Sequence, residues 1–152
     1  MFIPDLSPYQ YGLPAPLPNV RCVGWLEKGH PFGTGPSSER VLCNLKYLIV
    51  HRRVEVSRGL HYCDFCTAEE IPVELDGISD WLGHAEVWVP HPDGKTVFAA
   101  PTLLLHYMTG HAYLPPREFI DAVEHFNPGS TWNGEEYREL LVNQLLKKHR
   151  ES

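Results

Sequence analysis

The stretch RGLHYCDFC places His61, Cys63 and Cys66 within six residues. Two cysteines separated by two residues can carry both sulfurs onto one ion through a tight turn whose amides also face the thiolates. Cys63-x-x-Cys66 is therefore half of a tetrahedral zinc site. The other half must come from elsewhere in the chain. Cys22 and Cys43 form no further pair, but LLLHYMTGHAYLPP supplies His106 and His111. The full pattern is C-x2-C-x39-H-x4-H, and its terminal spacing falls within the range of Cys2His2 sites. Cys63, Cys66, His106 and His111 are thus the expected ligands of a Zn2+ ion. His61 is the reserve ligand: in an extended segment residues 61 and 63 project to the same side, so it could replace a distal histidine or hydrogen-bond to a ligand. Cys22 and Cys43 read more simply as small buried apolar side chains.

The two histidines carry a geometric condition. On a regular helix, residues five apart lie about 140° apart around the axis, which would aim the imidazoles away from a common ion. Gly110 offers the resolution. With the helix ending there in a left-handed glycine, His106 points from the last full turn and His111 approaches from beyond the cap.

Other chemistries fit less well. A redox C-x-x-C needs a depressed thiol pKa at a helix N-terminus within a βαβ unit, but Asp64 disfavours a thiolate and no strand-helix-strand pattern surrounds the pair. His84-Ala85-Glu86 reproduces the H-x-E element of zinc deaminases, yet the cysteines here come first and no proline precedes Cys63. Glu86 reads as a polar residue on a hairpin. A metal-dependent nuclease or other hydrolase is the alternative function, because a hairpin followed by a helix is also the scaffold of ββα-metal enzymes and His84 and His91 are available as bases. No G-x-S-x-G elbow occurs, and GHPFGTGPSSER lacks the G-K-[ST] ending of a P-loop. No residue is nominated as catalytic. The third reading is a metal-free globular domain.

The elements that must position these residues follow from composition and periodicity. The chain has 152 residues, 43% of them hydrophobic, which suits one domain with its own core. Thirteen Lys and Arg against nineteen Asp and Glu leave a net charge of −6, which opposes a phosphate backbone, so a nucleic-acid partner is not expected. No run approaches the roughly 18 apolar residues of a membrane helix. The N-terminus MFIPDLSPYQYG lacks a cationic head before an apolar run, so a cytoplasmic location is expected.

Prolines at 4, 8, 14, 16, 18, 31 and 36 make residues 1–36 an irregular arm, packed on the domain through Phe2, Ile3, Leu6, Tyr9, Tyr11 and Trp25. A helix is predicted from about Ser38 to Ile49, then a short strand at Val54 and Val56 broken by Gly59. AEVWVPHPDGKTVFAAP predicts a hairpin turning at Pro-Asp-Gly. Helices follow from Pro101 to Gly110 and after Pro115-Pro116. A last one covers residues 133–150, with Glu135 and Glu136 in its first turn, Lys147, Lys148 and Arg150 in its last, and Tyr137, Leu140, Leu141 and Leu145 inward. The expected fold is α+β: one small antiparallel sheet, several helices, and a zinc-knuckle core of treble-clef or Cys2His2 kind.

FIPDLSPYQYG, GWLEKGHPFGTG, RGLHYCDFC and AAPTLLLHYMTGHAYLPP resemble the recurring blocks of an uncharacterised bacterial family, with the resemblance spanning Phe2 to Pro116. It implies a shared fold and no assigned activity. The expected function is that of a small zinc-binding protein, its metal structural, acting through a protein partner. Trp81, Trp88 and Trp132 are candidate contact residues.

Overall fold

The structure, a computed structural model, describes residues 1–56 and 61–151. At its centre is the expected hairpin, β4 (Glu86–Pro90) paired antiparallel with β5 (Val97–Pro101). Asp93 shapes the turn by accepting the amides of Lys95 and Thr96 at 2.8 and 2.9 Å. Those bonds hold its carboxyl down at about 2. Residues 86–89 and 97–100 are all buried, because both faces of the hairpin are covered. Alternation divides two cores between these faces. Val87, Val89, Phe98 and Ala100 join a core with the helices, while Trp88, Val97 and Ala99 join a second core with the N-terminal arm.

The expectation of one antiparallel sheet is corrected in two ways. First, the arm contributes a strand, β1 (Val20–Cys22), which pairs parallel with β5 and makes a mixed three-stranded sheet in the order β1-β5-β4. Val20–Cys22 contains no proline, and Asn19 turns into it with a positive φ of 59°; Asn19 O accepts the Val97 amide and Val23 N donates to Ala99 O, while the Cys22 amide donates to Ser7 O of the arm. Second, β2 (Pro72–Leu75) and β3 (Ile78–Trp81) form a separate antiparallel hairpin. Its turn is Asp76-Gly77, both at positive φ (54° and 77°), the two-residue turn that matches strand twist. The strand expected at Val54 and Val56 is reduced to a single bridge between Val54 and Glu86, and Gly59 lies outside the described residues.

Helix α1 (Glu39–His51) starts where the serine pair predicts: the Ser38 hydroxyl accepts the Val41 amide at 3.2 Å. It buries Val41, Leu45, Leu48 and Ile49 along one stripe. Pro101 ends β5 and does not open the next helix, α2 (Leu104–Gly110). Helix α3 (Arg117–Glu124) follows Pro116, and α4 (Gly134–Glu151) follows Asn133, whose side chain accepts the Glu136 amide at 3.1 Å. Leu140 is 53% exposed, so it leaves the inward stripe that Tyr137, Leu141 and Leu145 form against the second core. Among the described residues no helix is long and apolar enough to cross a membrane.

The first residue of α4 is fitted to the sheet. A Cβ on Gly134 would lie 2.8 Å from the Trp88 Cβ and 3.0 Å from Val54 Cγ2, both anchored in β structure. Gly134→Ala is expected to cost about 1–3 kcal/mol by overpacking, read as a lower urea midpoint with unchanged slope.

Candidate metal centre

The segment 61–71 leads from the undescribed stretch into β2 without regular structure of its own, so side-chain packing must hold it. Phe65, between the two cysteines, supplies that anchor. Its ring sits 5.4 Å from Phe32, 5.8 Å from Tyr107 and 5.5 Å from His111. With the ring pinned inward, the Phe65 amide turns back and donates to Cys63 Sγ at 3.3 Å. This is the amide-to-sulfur contact that a C-x-x-C turn provides. Cys63 is 6% exposed, whereas Cys66 lies at the surface. Sequence reasoning passed over Phe65. Its available signal was an aromatic residue inside an otherwise polar turn.

Helix α2 and the turn after it bring in the imidazoles. The helix does end at Gly110, but glycine is not the left-handed residue there. His111 leaves the helical path at φ −129°, and Ala112 takes the left-handed conformation at φ 55°. The amides of His111 and Tyr113 both donate to the Tyr107 carbonyl, at 3.1 and 3.0 Å, which closes the turn. Further bonds hold it: Gly35 N donates to Ala112 O at 3.0 Å, Leu114 N to Gly33 O at 2.9 Å, and the Tyr113 hydroxyl to Asp5 at 2.8 Å. The glycine-rich loop before α1 is thus a strap across the histidine turn.

Departure from the helix at residue 111 satisfies the angular condition. The two imidazole rings stand 4.9 Å apart and nearly perpendicular. Cys63 Sγ lies 3.4 Å from His111 Nε2, and Cys66 Sγ lies 3.4 Å from His106 Nε2. One donor atom from each of the four residues falls within 4.8 Å of all the others, so this Cys2His2 cluster could hold a metal ion. His61 stays outside the group. It is exposed, its amide donates to Gly83 O at 2.8 Å, and it lines a small cavity with His84 and Glu86.

Burial disfavours charge on both the thiol and the imidazole side of the cluster. Burial pushes the Cys63 thiol up, the Phe65 amide opposes this, and the Cys66 thiol adds to the rise. Burial also holds the His106 imidazole below its ordinary value, with His111 acting the same way, so the ring is neutral near pH 7 and its lone pair is free to bind. Gly110 leaves room for that ring, because a Cβ there would lie 3.1 Å from His106 Cε1 and 3.3 Å from Nδ1. Gly110→Ala is expected to leave the metal-free protein as stable or up to about 1 kcal/mol more stable, through helix propensity. The displaced ring should lower metal affinity about tenfold or more, measured by competition with a chelator.

The remaining candidates have other duties. His84 pairs with Asp80 at 2.9 Å, and His91 Nδ1 accepts the Asp93 amide at 3.0 Å. Glu86 does stand on the hairpin, as a buried residue. It is 4% exposed and accepts from the Tyr9 hydroxyl and from Trp88 Nε1. Cys22 is buried, with its thiol pushed up to about 12 by burial and then by Glu86 and Asp5, whereas Cys43 is exposed and does not join the core.

No curated protein and no solved structure matches this chain. A family model matches residues 1–124, and these residues include all four members of the cluster. The chain belongs to the family described as Domain of unknown function (DUF7919).

Proposed function

We propose that Cys63, Cys66, His106 and His111 bind one Zn2+ ion as a structural centre, and that the protein works by binding another protein. The observation that carries this reading is the matched pair of 3.4 Å sulfur-to-nitrogen distances. A tetrahedral ion with Zn–S of about 2.3 Å and Zn–N of about 2.0–2.1 Å requires such pairs at about 3.6 Å. Two thiolates and two neutral imidazoles suit zinc better than magnesium or calcium, which take oxygen ligands. Four protein donors complete a tetrahedron, which is the mark of a structural site.

The ion would join the knuckle to the end of α2, two segments forty residues apart that share no sheet. All four cysteines are free, in keeping with a reducing compartment. The protein-binding reading draws on Tyr62, Ile78 and Trp81, which are 56%, 45% and 48% exposed around the knuckle and the β2–β3 hairpin. Trp88 is withdrawn as a contact residue because it is fully buried, and Trp132 is partly buried.

Elemental analysis of the purified protein, with and without the Cys63→Ser change, tests the centre. One zinc per chain that disappears in the variant supports it, and a metal-free native protein overturns it. Trp81→Ala tests the surface: it should leave the melting temperature nearly unchanged while weakening association with any partner recovered by cross-linking.

A further inference from the structure

An open groove of about 680 Å3 lies between the proline-rich arm and the outer half of α4. It shares no residue with the Cys2His2 cluster, and its size falls within the roughly 300–1,000 Å3 of small-molecule sites. Pro16 and Leu17 of the arm face Leu141 and Leu145 of α4 across it. The arm wall is stiff: proline fixes φ on both sides of Leu17, and the Leu17 amide is tied to the Tyr9 carbonyl at 2.9 Å.

The charge of this groove runs against that of the protein. Arg21 from β1 and Lys148 from the last turn of α4 line it, and among the described residues no Asp or Glu does, in a chain whose net charge is −6. Apolar walls together with two cations in the lining suit a ligand with an apolar body and one anionic head. The last turn of α4 is the negative end of a helix dipole, which opposes a multiply charged phosphate more than a single carboxylate. Phosphate sites use helix N-termini instead.

We propose that the groove binds a small amphiphilic carboxylate, its acyl body between Leu17 and Leu145 and its head at Lys148 and Arg21. Helix α4 lies beyond residues 1–124, so this site combines the family's arm with a segment outside the family match.

Calorimetric titration with decanoate below its micellar range is the test, with 1-decanol and acetate as the body-only and head-only controls. Decanoate should bind once per chain, at least tenfold tighter than 1-decanol, and acetate should not saturate. Lys148→Glu should weaken decanoate at least tenfold and leave 1-decanol unchanged. Arg21→Gln should act in the same direction, and Leu145→Asn should weaken both probes. Circular dichroism checks that α4 is retained. Three outcomes would overturn the proposal: no saturable decanoate binding, both charge variants binding like the parent, or a dimer that Leu145→Asn dissociates, which would give the groove to a second copy of the chain. Zinc content should not change in any of these variants, so this result and the metal reading stand or fall separately.

Discussion

On the proposed zinc reading, Cys63→Ser and His106→Ala should each abolish metal binding and lower the melting temperature by roughly 8–16 °C. An ion bound only by the folded state stabilises it by about 4 kcal/mol when free metal exceeds its dissociation constant a thousandfold. In a domain of this size, each kcal/mol moves the midpoint by about 2–4 °C. Structural zinc in small peptides contributes an apparent ~10–16 kcal/mol, so this figure is a lower range. A chelator should produce the same shift in the native protein and none in Cys63→Ser. Equal melting curves for the native protein with and without chelator would remove the ion from the account of stability.

The pH dependence carries two opposite signs. Zinc must displace the thiol protons, and burial raises the Cys63 thiol above its ordinary value, so metal affinity falls as the pH is lowered. In the metal-free protein, both Cys63 and Cys22 have folded values above the unfolded value of about 8.5, and Cys22 stands at about 12. Their contribution is fully present below pH ~8.5 and is lost as the pH rises toward the folded values, because the unfolded chain ionises first. Equilibrium unfolding of the chelated protein between neutral and alkaline pH reads this loss.

Glu86→Ala is expected to destabilise the fold by at least about 3 kcal/mol. The carboxylate is buried where the arm, the central hairpin and α4 meet. It accepts from the Tyr9 hydroxyl at 2.9 and 3.1 Å and from Trp88 Nε1 at 3.0 Å. Tyr9 is itself fully buried, stacks edge-on against Trp88 at 5.2 Å, and receives Arg138 Nε at 3.4 Å. Truncation at residue 86 would leave two buried donors, the Tyr9 hydroxyl and Trp88 Nε1, without their acceptor. Tyr9→Phe removes one of the two donors to Glu86 together with the acceptor of Arg138 Nε, and should cost less, about 1–2 kcal/mol. Urea unfolding of both variants gives the ordering. A Glu86→Ala protein within about 1 kcal/mol of the parent would mean that apolar packing alone seats the arm.

Local rules made parts of this protein readable in advance. Ser38 before a 3.6-residue apolar rhythm marked the start of α1, and Pro-Asp-Gly between β-rich runs marked the central hairpin, because caps and turns are decided by neighbouring residues. The same kind of reasoning should have found the Asp76-Gly77 hairpin, whose signal was equally plain. It could not find the parallel pairing of Val20–Cys22 with Val97–Ala99, since no turn connects them and only shared burial aligns them. Glu86 stands on the hairpin as its sequence context indicates, and only the arm folded over that hairpin makes it a buried residue.

At the candidate centre, residue types and spacing alone indicated which thiols and imidazoles could act together, because the tetrahedral preference of zinc restricts both. Tertiary structure decided that the four converge across the long insert and that His61 stays apart. It also decided that Ala112, not Gly110, makes the left-handed turn. These outcomes depend on Phe65, Tyr113 and the glycine strap packing around one turn, and contacts between residues so distant in the chain leave no periodic trace in the sequence.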